Sequence, residues 1–185
     1  MDNLTNKKFK YIVSFPHIGN YYVPIYNWLS NIIDKNNTKI MIPKKMSKST
    51  IEYGAYHSPD FICLPFKYNV GNFIESLENG ANVLVQAGGG CKYGYYSELQ
   101  KQILEDLGYQ FYYITLVDMG KIKPFRVYNK FKKINPKLSF LKFIYSNRRE
   151  KMGFWPQRVF GLKKAWRMMY HRTTVYECNA SDSTR

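Results

Sequence analysis

The chain predicts an α/β fold with a mostly parallel sheet. Short apolar, β-branched runs alternate with stretches of helical apolar spacing, and several of the runs are apolar on both faces. Strands buried on both sides by crossover helices have this appearance. "FKYIVSF" (9–15) is the first strand by its β-branched and aromatic content. "PHIGN" turns the chain into a helix on which Tyr22, Ile25, Trp28, Leu29 and Ile32 recur at steps of three or four. Pro24 falls in its first turn, where proline is tolerated. "TKIMIP" (38–43) reads as the second strand, and "SKSTIEYGAY" (47–56) as a short helix capped by Ser47 or Ser49.

"DFICLP" (60–65) reads as a short buried strand, followed by a helix over "NVGNFIESLENG" that presents Phe73, Ile74 and Leu77 and stops at Gly80. "NVLVQA" (82–87) is a continuous apolar strand. "YYSELQKQILEDLG" is the clearest helix, with Leu99, Ile103, Leu104 and Leu107 on one side and Gly108 as its C-terminal signal. "YQFYYITL" (109–116) closes the series as the fifth strand. With right-handed crossovers, this order gives a doubly wound, Rossmann-like domain.

After residue 120 the character changes. Residues 1–120 carry 11 Lys/Arg against 10 Asp/Glu, whereas residues 121–185 carry 17 against 3. The expected organisation is an α/β domain over 1–120, a basic helical appendage over 121–172 broken at Pro124, Pro136 and Pro156, and a loose tail over 173–185. The chain has 185 residues, enough for one domain with an appendage, and its 45% apolar content suffices for a buried core. No apolar run approaches the roughly 18 residues of a membrane span. The N-terminal run, broken by Pro16, is too short for a signal peptide. Three cysteines without an export signal fit a reducing, cytoplasmic setting better than a disulfide framework.

The chemistry centres on "ANVLVQAGGGCKYGYY" (81–96). Ligands of open parallel sheets bind beyond the carboxyl ends of the strands. Cys63 is expected near the end of one strand and Cys91 just past another, so neighbouring strands would bring both thiols to one edge. Gly88, Gly89 and Gly90 allow a tight turn and a close backbone approach to a ligand. Cys91 would precede a helix N-terminus, where the metal-binding thiolate is favoured. Two blander readings stand beside this one. A cysteine within an apolar strand is commonly core, and a glycine-rich turn can cradle phosphate without a thiol. "GGGCKYG" has neither the dinucleotide fingerprint nor the P-loop spacing. His17 suits an anion or cofactor at a helix start, or simply a turn. Lys67 suits a phosphate or an anionic cluster, or solvent. Asn72, Gln86 and Tyr95 are secondary polar candidates at the cleft, while His57 and His171 receive no role.

"SFPHIGNYYVPI" and "SPDFICLPFKYNVGNFIESLENGANVLVQAGGGCKYGYYSELQKQILEDLGY" resemble the 2-hydroxyacyl-CoA dehydratase-related family, in the group of CoA-substrate-specific enzyme activases, also called CoA protein activases. The resemblance runs from residue 9 to about 170. It implies that Cys63 and Cys91 are metal ligands of a [4Fe–4S] cluster, and that the chain is an iron–sulfur-type subunit in electron transfer or acyl-CoA dehydration. Family members typically continue into a second α/β half with further cysteines. Here Cys178 lies in a tail unlike the family, and two thiols fall short of the four a cubane needs. The resemblance therefore implies a partner subunit or a homodimer. The absence of a P-loop argues against this chain being the ATPase of such a system. The alternative is a truncated, non-catalytic binding protein. The basic segment is expected to pack on the α/β core and to turn a charged face toward an acidic partner or CoA phosphates. Nucleic acid ranks below these, and a membrane surface lower still.

Overall fold

The structure is a computed structural model and describes residues 9–17, 19, 22–88, 95–117 and 123–149. Four strands form one all-parallel sheet in the order β2-β1-β3-β4. They are β1 (Tyr11–Ser14), β2 (Thr38–Ile40), β3 (Val83–Gly88) and β4 (Tyr112–Val117). The helices are α1 (Tyr22–Ile32), α2 (Lys48–Tyr56), α3 (Leu64–Glu78), α4 (Tyr96–Asp106), α5 (Pro124–Ile134) and α6 (Phe140–Arg149).

The period-2 alternation of the strands divides the core into two layers. Val13, Val83, Val85, Ile114 and Leu116 point to one face and meet Trp28, Leu29 and Ile32 of α1 together with Phe131 of α5 and Phe143 of α6. Leu84 and Tyr113 point to the other face and meet Phe66, Val70, Phe73 and Ile74 of α3 and Leu104 of α4. The sheet is thus covered on both sides. The Trp28 indole lies edge-on to Phe131, with ring centroids 5.3 Å apart.

The junction of β1 with β3 has little ladder of its own, pairing Val13 with Val83 and Ser14 with Leu84. The Asn82 side chain extends it. Its Oδ1 accepts the Ile12 N–H at 2.7 Å, and its Nδ2 donates to the Lys10 carbonyl at 2.9 Å. An amide side chain here stands in for two missing ladder bonds.

Ser47 caps α2 as one of the two serines expected there, and its capping box is completed by Thr50. Gly80 and Gly108 follow the ends of α3 and α4 at φ 91° and 84°, values that favour glycine. One expected strand does not form. Residues 60–65 lead instead into α3, which begins five residues before the expected helix at Asn69, with Cys63 as its N-cap and Pro65 in its first turn. The sheet therefore has four strands rather than five, with α2 and α3 packed against each other in the connection from β2 to β3. After residue 120, the described residues add helices and no strand. Among the described residues no helix is long and apolar enough to cross a membrane.

Candidate functional site

The strand order makes β1 and β3 the switch point of the sheet. The connection from β1 leads outward to β2, and the one from β3 leads the opposite way to β4. The carboxyl ends of such neighbouring strands form a crevice in which ligands of this architecture bind. Ser14 and His17 stand at or just beyond the end of β1, and Gly88, paired with Val117, ends β3.

α3 organises this edge. Its buried face is polar at Asn69, Asn72 and Ser76, positions one turn apart along one stripe. Asn72 Oδ1 accepts the His17 N–H at 2.8 Å, and Asn72 Nδ2 donates to the Lys44 carbonyl at 3.1 Å. One side chain thereby ties together the loops that follow β1 and β2. Ser14 Oγ donates to Ser76 Oγ at 3.0 Å. Asn69 Nδ2 donates to the Tyr96 hydroxyl at 3.2 Å, joining α3 to the first residue of α4.

The seam continues across β3 and β4. Gln86 Nε2 donates to Gln100 Oε1 at 2.6 Å, and Gln86 Oε1 accepts the Ala87 N–H at 2.8 Å. The Tyr113 hydroxyl donates more weakly to Gln100 Oε1 at 3.4 Å. Ser97 and Thr115 hydroxyls lie 3.3 Å apart. Gln100 is fully buried, and its Nε2 has no hydrogen-bond partner among the described residues. Burial pushes the Tyr113 phenol far above its ordinary value, with the charge of Glu98 adding to the effect. The hydroxyl therefore stays protonated and serves as a donor. The seam consists mainly of amides and hydroxyls, with the Glu98 carboxylate accepting from Ser97 Oγ at 3.2 Å and Glu75 Oε2 lying 3.5 Å from Asn72 Nδ2. Its chemistry is to hold backbone loops and to offer hydrogen bonds.

The expected site residues fall in different places. His17 is 8% exposed, and its ring stacks on Tyr22 at the start of α1, centroids 5.1 Å apart and planes 24° from parallel. Cys63 is partly buried at the head of α3, packed against the cluster that contains Phe66. Nine residues of helix separate it from Asn72, about 13 Å along the axis, so it stands away from His17. It does lie on the side from which α4 starts. Phe66, three residues on, meets the Tyr96 ring edge-on at 5.0 Å. Lys67 Nζ donates to the Asp60 carbonyl at 3.1 Å, closing the loop in front of α3. Gly89, Gly90 and Cys91 lie outside the described residues, as does Cys178. Phe61, Leu64 and Tyr95 are exposed apolar side chains around the head of α3 and the entry to α4.

Among the described residues no three His, Cys, Asp or Glu side chains converge on a metal position, and Cys63 is the sole cysteine there. One thiolate does not hold a cubane cluster. The other expected ligand, Cys91, lies outside the described residues.

Sequence reasoning named Asn72 and Gln86 but missed Asn69, Ser76, Ser97 and Gln100. The spacing of Asn69, Asn72 and Ser76 was a legible signal, since polar residues at those steps share a helix face. Comparison of the chain with protein-family models, with characterised proteins and with solved structures finds no match.

Proposed function

We propose that this chain is a subunit related to the 2-hydroxyacyl-CoA dehydratases and their activators, acting with a partner on acyl-CoA. In this reading Cys63 and Cys91 contribute two thiolates to a [4Fe–4S] cluster, and a second copy or a partner subunit contributes the remaining ligands. The glycines at 88–90 and the loop of His17 supply the backbone groups that approach the phosphate-bearing part of the ligand.

One observation carries the reading. Cys63 heads α3 on the side where α4 begins, with Phe66 on Tyr96 and Asn69 on the Tyr96 hydroxyl. In sequence, Cys91 stands five positions before Tyr96. Exposed Phe61, Leu64 and Tyr95 give the same region an apolar rim suited to a protein partner.

Anaerobic reconstitution with iron and sulfide, followed by metal analysis of separated monomer and oligomer, tests the proposal. The expected result is cluster absorbance in a dimer or complex only, lost in both Cys63→Ser and Cys91→Ser. A near-stoichiometric cluster in a proven monomer that survives Cys63→Ser would sink it. Absence of any cluster, with CoA bound, would favour the non-catalytic binding protein instead.

A further inference from the structure

The outer face of α5 and α6 stands apart from the rest of the surface. Both helices are amphipathic. α5 buries Val127, Tyr128, Phe131 and Ile134, and α6 buries Phe143. Opposite the buried side, Phe125 is 63% exposed, Leu141 68% and Tyr145 61%, with Phe140 also exposed. They fall into two pairs on this face. Phe125 and Phe140 touch across the two helices with centroids 6.1 Å apart, and Leu141 and Tyr145 are one turn apart on α6. Exposed Arg126, Lys137 and Lys142 stand among them in sequence. Residues 124–149 contain eight Lys/Arg and no Asp or Glu, whereas the first 120 residues are almost balanced in charge.

Exposed apolar side chains on a segment whose only charged residues are cations limit what can cover it. A second copy docking through the same face would bring two all-cationic surfaces together, and like charges oppose that contact. A single-stranded nucleic acid would use separated aromatic platforms for its bases. Here Phe125 and Phe140 pack on each other at 62°, and Leu141 has no π-face to offer. An acidic bilayer surface uses every element present. Phe, Leu and Tyr side chains enter the boundary between headgroups and acyl chains, while lysine and arginine stay at the level of the phosphates. The lack of carboxylates over residues 124–149 matters most here, because each one would be repelled by the anionic headgroups.

We infer that the outer face of α5 and α6, through Phe125, Phe140, Leu141 and Tyr145 with their flanking cations, docks the protein reversibly on an anionic phospholipid surface. The inference is independent of any cluster or acyl-CoA, since none of these residues belongs to the switch-point edge.

Co-sedimentation of the full chain with vesicles tests it. Vesicles of phosphatidylcholine containing about 30% phosphatidylserine should retain the chain, pure phosphatidylcholine should not, and salt should weaken the binding. Leu141→Asp should weaken partitioning about 30-fold by removing one inserted side chain. Lys142→Gln should weaken it about fivefold. Circular dichroism checks that both variants fold, and Tyr145→Ser serves should Leu141→Asp fail. No binding to the acidic vesicles would overturn the inference, as would binding that none of these changes diminishes. A stronger hold on an oligothymidylate, weakened by the same changes, would assign the face to nucleic acid instead and equally overturn it.

Discussion

Asn72→Ala tests whether one amide holds the switch-point loops in place. The His17 N–H that it accepts is buried, so removing the acceptor leaves that donor unpaired. A buried unpaired donor costs about 1–3 kcal/mol. The Lys44 carbonyl, by contrast, belongs to an exposed residue and regains water at little cost. Asn72 is itself fully buried, and the small void left by its side chain adds about 1 kcal/mol. The expected loss is therefore about 3 kcal/mol. With a urea dependence of about 2 kcal/mol/M, the unfolding midpoint should fall by about 1.5 M. Asn72→Asp separates the two loops, because it keeps the acceptor for His17 and gives up the donor to Lys44. It also sets a second carboxylate beside Glu75, whose Oε2 lies 3.5 Å from Asn72 Nδ2. Hydrogen exchange of the His17 amide should quicken markedly in Asn72→Ala and little in Asn72→Asp. A loss below about 1 kcal/mol in Asn72→Ala, with the His17 amide as protected as in the parent, would refute the reasoning.

Three further outcomes are expected. A Cβ at Gly54 would overlap the Lys67 carbonyl oxygen, and one at Gly71 the Thr50 carbonyl oxygen. Gly54→Ala or Gly71→Ala should therefore cost about 3 kcal/mol in urea unfolding, whereas Gly80→Ala should cost less, through its positive φ alone. Tyr113 is a group whose folded pKa is raised, so its contribution is fully present below the ordinary phenol value of 10.0 and is lost as pH rises above it. Tyr113→Phe should change stability by less than about 1 kcal/mol at neutral pH and should flatten its fall in alkali; equal alkaline slopes for parent and variant would contradict the assignment. Gln100→Leu should cost about 2 kcal/mol by stranding the Gln86 amide and the Tyr113 hydroxyl, and a stabilised variant would show that the seam has no structural role.

Most of the sheet was legible in the sequence, because its strands are short runs rich in β-branched and aromatic residues. "YIVS", "VLVQ" and "YYITLV" each form a strand, with Ser14 and Gln86 as their polar buried positions. "DFICLP" misled for a physical reason. A short apolar run fits a strand or the first turn of a helix equally well, and periodicity cannot separate them at that length. Pro65 was the better signal, since proline is favoured in the first turn of a helix and excluded from a central strand. Phe61, which would be internal in a central strand, is almost fully exposed. In the helix after β3, three of the four residues marked as one face, Leu99, Ile103 and Leu104, pack on the core. Leu104 is buried, but Leu107 is exposed, and Ser97 and Gln100 occupy the inner side. Apolar periodicity finds the side that meets the core. It does not reveal where hydrogen bonds replace apolar contacts, and that is where the polar seam lies.

The layer beneath α1 has a consequence for the growing polypeptide. Trp28, Leu29 and Ile32 are made early, but their cover is Phe131 and Phe143, and the α1 terminus receives its bond from Asn135 Nδ2 to the Ile32 carbonyl across a separation of 103 residues. The opposite layer draws on residues 66–113 and completes first on the ribosome. Until residue 143 has emerged from the exit tunnel, an indole and two aliphatic side chains of α1 lack their final neighbours. A ribosome stalled shortly before that point would hold out a half-closed domain with an apolar helix face for chaperones to grip.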